Sequence, residues 1–157
     1  MDWDLEAQPQ NYSNEAIASV SRKLKDHYGQ DFAVQFTAAP IFPNRMQLVA
    51  QHPNEFDLLG FMFYSDFSYN YSDEARKAKI VETIDTAVGM GIPASKLLIG
   101  ATTDHLNEPH STPDVYVDVY NQLRAKYPDL RGLFHWETLI DRDNNWAFVN
   151  LARGAVG

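Results

Sequence analysis

Acidic and apolar residues alternate strictly through the first six residues of the chain, MDWDLE. Successive side chains of a β-strand point to opposite faces of a sheet, so a strand here places Asp2, Asp4 and Glu6 on one face. The large apolar side chains between them occupy the other face, which favours burial of that face against a core. The pattern therefore predicts a strand at residues 1–6 that carries a row of three carboxyl groups.

Carboxyl groups in such a row repel each other, because every second residue of a strand lies only about 6–7 Å away. This repulsion, together with loss of solvent, raises the pKa of at least one of the three groups. A carboxyl group that keeps its proton near neutral pH can act as a general acid, so the row is a candidate catalytic site. The alternative is that Asp2, Asp4 and Glu6 form an ordinary solvated strand face.

Strand and helix patterns alternate along the chain without hairpin signals. Strands are expected at residues 1–6, 32–39, 56–64, 96–101 and 130–136, and helices at 14–27, 72–91, 113–127 and 144–153, with one short helix between 41 and 53. This alternation predicts an α/β fold with a parallel sheet and right-handed crossovers. The residues alone favour an open doubly wound sheet, although the glycine-rich phosphate loop of nucleotide-binding folds is missing. A closed eight-stranded barrel needs about 250 residues, which is more than the chain has.

Charge and composition exclude several classes of function. The formal net charge of −8 argues against binding of nucleic acid, which needs a basic surface. There is no cysteine, so disulfides, thiol nucleophiles and thiolate metal sites are excluded and the compartment stays open. No apolar run has the length of a membrane span, and the acidic first residues do not resemble a signal peptide.

Five segments of the chain carry recognisable motifs. The first is Asp2-x-Asp4-x-Glu6, and the others are FTAAP at 36–40, GFMFYSD at 60–66, GIPASKLLIGAT at 91–102 and RGLFHWETLIDRDNNWAFVN at 131–150. In this order they resemble glycoside hydrolase family 18, the chitinase family. The acidic row is similar to the second half of its signature, D-G-x-D-x-D-x-E. The other four are similar to its strands five to eight.

The resemblance implies an α/β fold that is a partial (β/α)8 TIM barrel, about strands four to eight with their intervening helices. Residues 1–157 would be a partial catalytic domain whose first three barrel strands are missing. The sequence departs from the family motifs at four positions. Ile41 replaces a glutamate, Met62 a glutamine, Ser65 an asparagine and Thr102 a proline.

The resemblance also implies a mechanism, namely retaining hydrolysis in which the substrate's own acetamido oxygen attacks the anomeric carbon. Glu6 would protonate the leaving glycosidic oxygen. Asp4 would hold and polarise the acetamido group, and Asp2 would tune Asp4 by sharing a proton. Tyr64 would donate a hydrogen bond to the acetamido oxygen, and Trp136 would form the apolar floor under the reacting sugar.

Further positions are expected to contact substrate. Met62 takes the place of the family glutamine on the strand of Tyr64, and Tyr69 is expected either to stack on sugars or to cover the barrel rim. No cofactor is expected. The spacing of the acidic and histidine residues at 104–110 matches no zinc motif, so no metal is expected either.

Three functions fit these observations. The first is a chitinase-type hydrolase of β-1,4-linked N-acetylglucosamine polymers, and the second is an endo-β-N-acetylglucosaminidase that acts on N-glycan cores. The third is a non-catalytic carbohydrate-binding or vestigial fragment. A chain without the first three strands has open sheet edges, so low activity and self-association through those edges are expected.

Overall fold

The computed structural model of the chain describes residues 1–5, 12–40, 43–64, 72–102 and 112–156. Within these residues, five parallel strands form one sheet. The strands are β1 (Asp2–Asp4), β2 (Gln35–Ala38), β3 (Leu58–Met62), β4 (Leu97–Thr102) and β5 (Gly132–Trp136). The helices are α1 (Asn14–Tyr28), α2 (Pro43–Gln51), α3 (Asp73–Gly89), α4 (Pro113–Lys126), α5 (Thr138–Asp143) and α6 (Ala147–Val156).

The strands lie in the sheet in the same order as in the chain, β1-β2-β3-β4-β5. The predicted α/β class with parallel strands is therefore confirmed. A doubly wound sheet reverses its strand order at a switch point, and these five strands have no such reversal, so the doubly wound interpretation is wrong. Sequential parallel strands with helices between them are the arrangement of a barrel wall.

The register of the strands gives the sheet two different faces. The face packed against the helices carries Trp3, Phe36, Leu59 and Ile99, of which the last three are fully buried. The opposite face, called the pocket face below, carries the side chains that alternate with these. Its members are Asp2, Asp4, Gln35, Thr37, Leu58, Gly60, Met62, Leu98, Gly100, Thr102, Gly132, Phe134 and Trp136.

The acidic strand is anchored through its apolar side, as the alternation predicts. Trp3 packs against the buried core, and its Nε1 donates a hydrogen bond of 2.9 Å to Oγ of Ser21 on α1. The Ser21 hydroxyl in turn donates to the carbonyl of Ile17. Because Trp3 faces the helices, its neighbours Asp2 and Asp4 must face the pocket side.

Several elements differ from the sequence prediction in their bounds. The structure ends β1 at Asp4 rather than at residue 6, and it forms β2 only from Gln35 because residues 31–32 are in a turn. One helix is predicted at 144–153, whereas the structure has α6 at Ala147–Val156 and an additional helix, α5, at Thr138–Asp143. They are separated where Asn145 and Trp146 adopt a φ of 59°, a left-handed conformation that a continuous helix does not contain.

Candidate functional site

A pocket of about 340 Å³ lies on the pocket face of the sheet, and residues of four strands and of the turn after β3 line it. Tyr64 follows the carboxyl end of β3, and Trp136 is the last residue of β5. In parallel α/β sheets the carboxyl ends of the strands are where functional side chains from different strands meet. The lining residues are Asp2, Asp4, Gln35, Thr37, Met62, Tyr64, Phe134 and Trp136.

The acidic side of the pocket is a hydrogen-bonded group of three side chains. Thr37 Oγ1 lies 2.9 Å from Oδ1 and 3.0 Å from Oδ2 of Asp2. Gln35 Nε2 donates to Thr37 Oγ1 at 3.0 Å and lies 3.4 Å from Oδ2 of Asp2. The register pairs Asp2 with Gln35 and Asp4 with Thr37, so β2 supplies the partners that β1 needs.

The electrostatics of Asp2 follow from this position. Partial burial raises the pKa of the Asp2 carboxyl above its ordinary value, and the negative charge of Asp4 raises the pKa further. The hydrogen bond from Thr37, the positive charge of the Met1 amino group and the hydrogen bond from Gln35 act in the opposite direction. The raised pKa of Asp2 agrees with the repulsion expected from the sequence, but desolvation is the larger cause.

Two side chains, one on α3 and one on α4, form hydrogen bonds to the backbone next to Tyr64. The carbonyl oxygen of Phe63 accepts a hydrogen bond of 2.9 Å from Nη1 of Arg76 on α3 and one of 3.4 Å from the hydroxyl of Tyr116 on α4. Arg76 and Tyr116 are both fully buried. Burial raises the pKa of Tyr116 to about 12, so its hydroxyl stays protonated and able to donate at physiological pH. These two hydrogen bonds to the Phe63 carbonyl, called the clamp below, fix the position of the backbone from which the Tyr64 side chain extends into the pocket.

Phe134 forms the floor of the pocket, in a space that two glycines leave open. A Cβ on Gly100 would lie only 2.4 Å from Cζ of Phe134, and a Cβ on Gly60 would lie 3.0 Å from its Cε1. The Phe134 ring also meets the ring of Tyr64 edge to face, with centroids 6.4 Å apart. A larger residue at either glycine would displace the Phe134 ring toward the pocket.

Trp136 stands at the rim of the pocket, with 55% of the residue exposed. It pairs in register with Thr102, and the peptide bond to Glu137 is cis. An exposed indole at the mouth of a pocket is available to stack on a ligand. The sequence-based assignment made Trp136 the floor, whereas in the structure the deeper aromatic residue is Phe134.

The pocket brings together five of the seven site residues predicted from the sequence. These are Asp2, Asp4, Met62, Tyr64 and Trp136. Glu6 and Tyr69 lie outside the described residues, as do Ile41, Ser65 and residues 104–110. The chemical roles assigned to all seven remain predictions.

Sequence reasoning missed three residues of the pocket, Gln35, Thr37 and Phe134. A signal for Phe134 was present, because it alternates with Trp136 and therefore shares its face. Gln35 and Thr37 could not be found from the chain alone, because only the β1–β2 register places them opposite the two aspartates.

The described residues lack two features of other classes of protein. No helix there is long and apolar enough to cross a membrane. Nor do those residues contain a group of three or more histidine and acidic side chains able to hold a metal ion.

Several solved structures are similar in fold to this chain, and three of them are family 18 enzymes of a fungus, a fern and a crocus. A fungal endo-β-N-acetylglucosaminidase of glycosyl hydrolase family 18 matches with a TM-score of 0.70 at 17% identity, over 96% of this chain and 54% of its own. The family 18 chitinase catalytic domain of the fern Peteris ryukyuensis has a TM-score of 0.69 at 16% identity, covering 99% and 55%. A family 18 chitinase of Crocus vernus has a TM-score of 0.73 at 15% identity, covering 98% and 54%.

The chain has the fold of part of a family 18 glycoside hydrolase barrel. No protein-family model and no curated protein sequence matches it. The chain spans about half the length of the family 18 structures that it resembles, as their coverage of 54–55% indicates. The prediction of a partial barrel is thereby confirmed, and the five strands match part of the barrel of those structures in fold.

Proposed function

We propose that this chain is part of a glycoside hydrolase of chitinase type, which cleaves β-1,4-linked N-acetylglucosamine polymers with retention of configuration. Residues 1–157 then belong to a single catalytic domain. One observation carries the proposal: residues from separate parts of the chain, Asp2 and Asp4, Tyr64 and Trp136, line one pocket on a barrel wall. Their order in the chain and their shared face are those that the sequence motifs led us to expect.

The pocket residues divide into two groups that suit an N-acetylated sugar. Asp4 and Asp2 offer carboxyl oxygens to the acetamido N–H, and the Tyr64 hydroxyl offers a donor to the acetamido oxygen. Phe134 and Trp136 offer apolar surface to the sugar ring. The polar acetamido group of the sugar would therefore contact the polar side chains of the pocket, and the apolar face of the sugar ring would contact its aromatic side chains.

The proposed reaction uses the acetamido oxygen of the substrate as nucleophile. As that oxygen attacks the anomeric carbon, positive charge develops on the acetamido group and Asp4 stabilises it. Asp2, whose pKa is raised, takes up part of the proton that the pair shares. Glu6 donates a proton to the leaving glycosidic oxygen and then activates the water that opens the intermediate.

A second candidate is an endo-β-N-acetylglucosaminidase that cuts N-glycan cores. The observation behind it is Met62, a buried apolar residue that lines the pocket where the family motif has a glutamine and so leaves the substrate class open. An apolar side chain here changes the hydrogen bonds available to the reacting sugar. Parallel assays on chitin oligosaccharides and on a high-mannose glycoprotein decide between the two, because only the second candidate releases intact glycans.

The central test compares oligosaccharides that differ only in the acetamido group. We expect the chain to bind chitotetraose but not cellotetraose, measured by tryptophan fluorescence and calorimetry, because cellotetraose has the same β-1,4 linkage without the acetamido arm. Trp136→Ala should abolish binding. Trp146→Ala removes another exposed tryptophan, one that does not line the pocket, and should leave binding unchanged. Equal affinity for both sugars, or no affinity for either, would overturn the proposal.

Turnover is tested separately, in the isolated chain and in a fusion that supplies the first three β/α units of a family 18 barrel. We expect Glu6→Gln to lower turnover about 10²–10⁴-fold wherever turnover is found, which is the usual contribution of a general acid. Unchanged turnover in Glu6→Gln would remove Glu6 from the mechanism. Acetamido-dependent binding with no turnover in either form would instead identify a carbohydrate-binding module.

A further inference from the structure

Gln35 and Thr37 connect β2 to the acidic strand in a way that the sequence motifs do not indicate. Gln35 Nε2 lies 3.0 Å from Thr37 Oγ1, and that oxygen lies 2.9 Å and 3.0 Å from the two carboxyl oxygens of Asp2. The three side chains form a continuous hydrogen-bonded chain along the pocket wall.

Which group donates in each of these hydrogen bonds follows from the chemistry of the three side chains. The Gln35 amide nitrogen can only donate, so Thr37 Oγ1 accepts from Gln35 and its single hydroxyl hydrogen is left to donate to Asp2. Thr37 is only 5% exposed, so water competes little for its hydroxyl. A hydroxyl that donates to both oxygens of one carboxyl group favours the ionised form of that group.

We propose that Thr37, oriented by Gln35, is a positioning residue that holds the Asp2 carboxylate in the pocket and favours its ionised form. The inference rests on the proposed function, in which Asp2 shares a proton with Asp4. In that role Asp2 must be able to give up its proton as well as hold it. Burial and the neighbouring charge of Asp4 disfavour the ionised form of Asp2, and the hydrogen bond from Thr37 acts in the opposite direction.

Other charged groups near Asp2 also shift its pKa, and the direction of each shift follows from the sign of the charge. In the described residues, the Asp4 carboxyl raises the pKa of Asp2 and the amino group of Met1 lowers it. Tyr64 also lines the pocket and carries the remaining titratable group there. Substitutions at Thr37 and Gln35 leave all three of these groups in place, so a change in the titration of Asp2 is not caused by the loss of any of these charges.

The test is an NMR titration of the aspartate carboxyl carbons in the intact chain without sugar, with Asp2→Asn used to assign the Asp2 signal. We expect Thr37→Val to make Asp2 bind its proton about threefold or more tightly, because a charge-assisted hydrogen bond to the ionised form is lost. Thr37→Ser keeps the hydroxyl and should titrate like the parent chain. Thr83→Val removes another buried threonine hydroxyl, far along the chain on α3, and should leave Asp2 unchanged.

Gln35→Leu is a second variant for the same titration, since Gln35 is only half-buried and its replacement does not open the core. We expect a rise in the proton affinity of Asp2 smaller than in Thr37→Val. An unchanged Asp2 titration in either variant, or an equal change in Thr37→Ser and Thr37→Val, would overturn the inference. Because no sugar is present, these outcomes do not depend on whether the chain binds or cleaves chitin.

Discussion

At the scale of single residues, Gly100 leaves the space that the Phe134 ring occupies. Its Cα faces the Phe134 ring, and a Cβ there would lie 2.6 Å from the carbonyl oxygen of Phe61 as well as 2.4 Å from the ring. The ring can rotate, but the strand carbonyl cannot move without disturbing β3. Gly100 is therefore required by close packing on the pocket face, not by backbone conformation.

We expect Gly100→Ala to lower the free energy of unfolding by about 1–3 kcal/mol, as overpacking of a well-packed site usually does. Urea denaturation followed by circular dichroism measures the change. Gly154→Ala is the matched control, because a Cβ on this α6 glycine would meet nothing within 4 Å. It should stabilise the chain by up to about 1 kcal/mol through helix propensity. Equal stability of Gly100→Ala and the parent chain would show that the site tolerates a Cβ.

A second residue-scale feature is the ion pair of Lys25 and Asp57 at the other end of the sheet. Lys25 Nζ is buried and donates to Oδ2 of Asp57 at 2.7 Å and to the carbonyls of Gln30 and Phe32. Asp57 also accepts from the N–H of Val34 at 2.7 Å. Burial alone would raise the pKa of Asp57, but the bonds from Lys25 and Val34 outweigh it and lower the pKa below its ordinary value.

This pair makes stability depend on pH in a definite direction. A carboxyl group whose pKa is lower in the folded state stabilises that state fully above its unfolded pKa, near 4. The contribution is then lost as the pH falls through the lowered pKa. We expect the urea midpoint of the parent chain to fall between about pH 5 and pH 2, and Asp57→Asn to show a smaller fall. Asp129→Asn, at an exposed aspartate, should follow the parent chain; identical curves for all three would contradict the assignment.

At the scale of elements, the start of α3 controls the clamp behind Tyr64. Ser72 caps this helix, since its Oγ accepts a hydrogen bond of 3.2 Å from the N–H of Ala75. The next residue of the helix, Arg76, holds the Phe63 carbonyl. A well-formed first turn of α3 is therefore needed to keep the end of β3 in place.

We expect Ser72→Ala to lower the free energy of unfolding by about 1 kcal/mol, the usual cost of losing an N-cap. Hydrogen exchange should also become faster in the first turn of α3, where the cap acts. Ser72→Asp keeps a capping oxygen and should retain protection. Ser95→Ala, at an exposed serine that caps no α-helix, should change neither quantity. Unaltered hydrogen exchange in Ser72→Ala would show that the Ser72 cap does not stabilise the first turn of α3, and so does not help to hold the Phe63 carbonyl.

At the scale of the whole molecule, the sheet of the described residues has two open edges, at β1 and β5. Exposed apolar side chains, Trp136, Leu139 and Trp146, lie on and after β5. Unpaired strand edges next to apolar surface favour association with another chain. The chain spans 54–55% of the length of the family 18 structures that it resembles.

We expect the isolated chain to self-associate as its concentration rises, and to show little hydrolase activity. Sedimentation velocity over a hundredfold range of concentration measures the first, and release of reducing sugar from chitin oligosaccharides measures the second. Leu139→Lys places a charge next to the β5 edge and should weaken association. A stable monomer at every concentration, with strong hydrolase activity, would contradict this expectation.

The sequence by itself determined the order of strands and helices, because hydrophobic periodicity and capping residues act locally. The alternation in MDWDLE also determined that Asp2 and Asp4 face away from Trp3. Boundaries were less accurate: the left-handed residues Asn145 and Trp146, which divide α5 from α6, carry no glycine to mark the break. That break depends on tertiary contacts, among them the two carboxyl oxygens of Asp141, which accept from N–H groups of α6.

The alternation of elements does not fix the order of the strands, which the resemblance to family 18 predicted, and only the tertiary structure decided the composition of the pocket wall. A sequential and a doubly wound sheet can be built from the same alternation of elements, since they differ only in which strands pair. Pairing β1 with β2 brings Thr37 to Asp2, and pairing β4 with β5 brings Phe134 over Gly100. Contacts of this kind join residues more than thirty positions apart, and no local pattern in the chain encodes them.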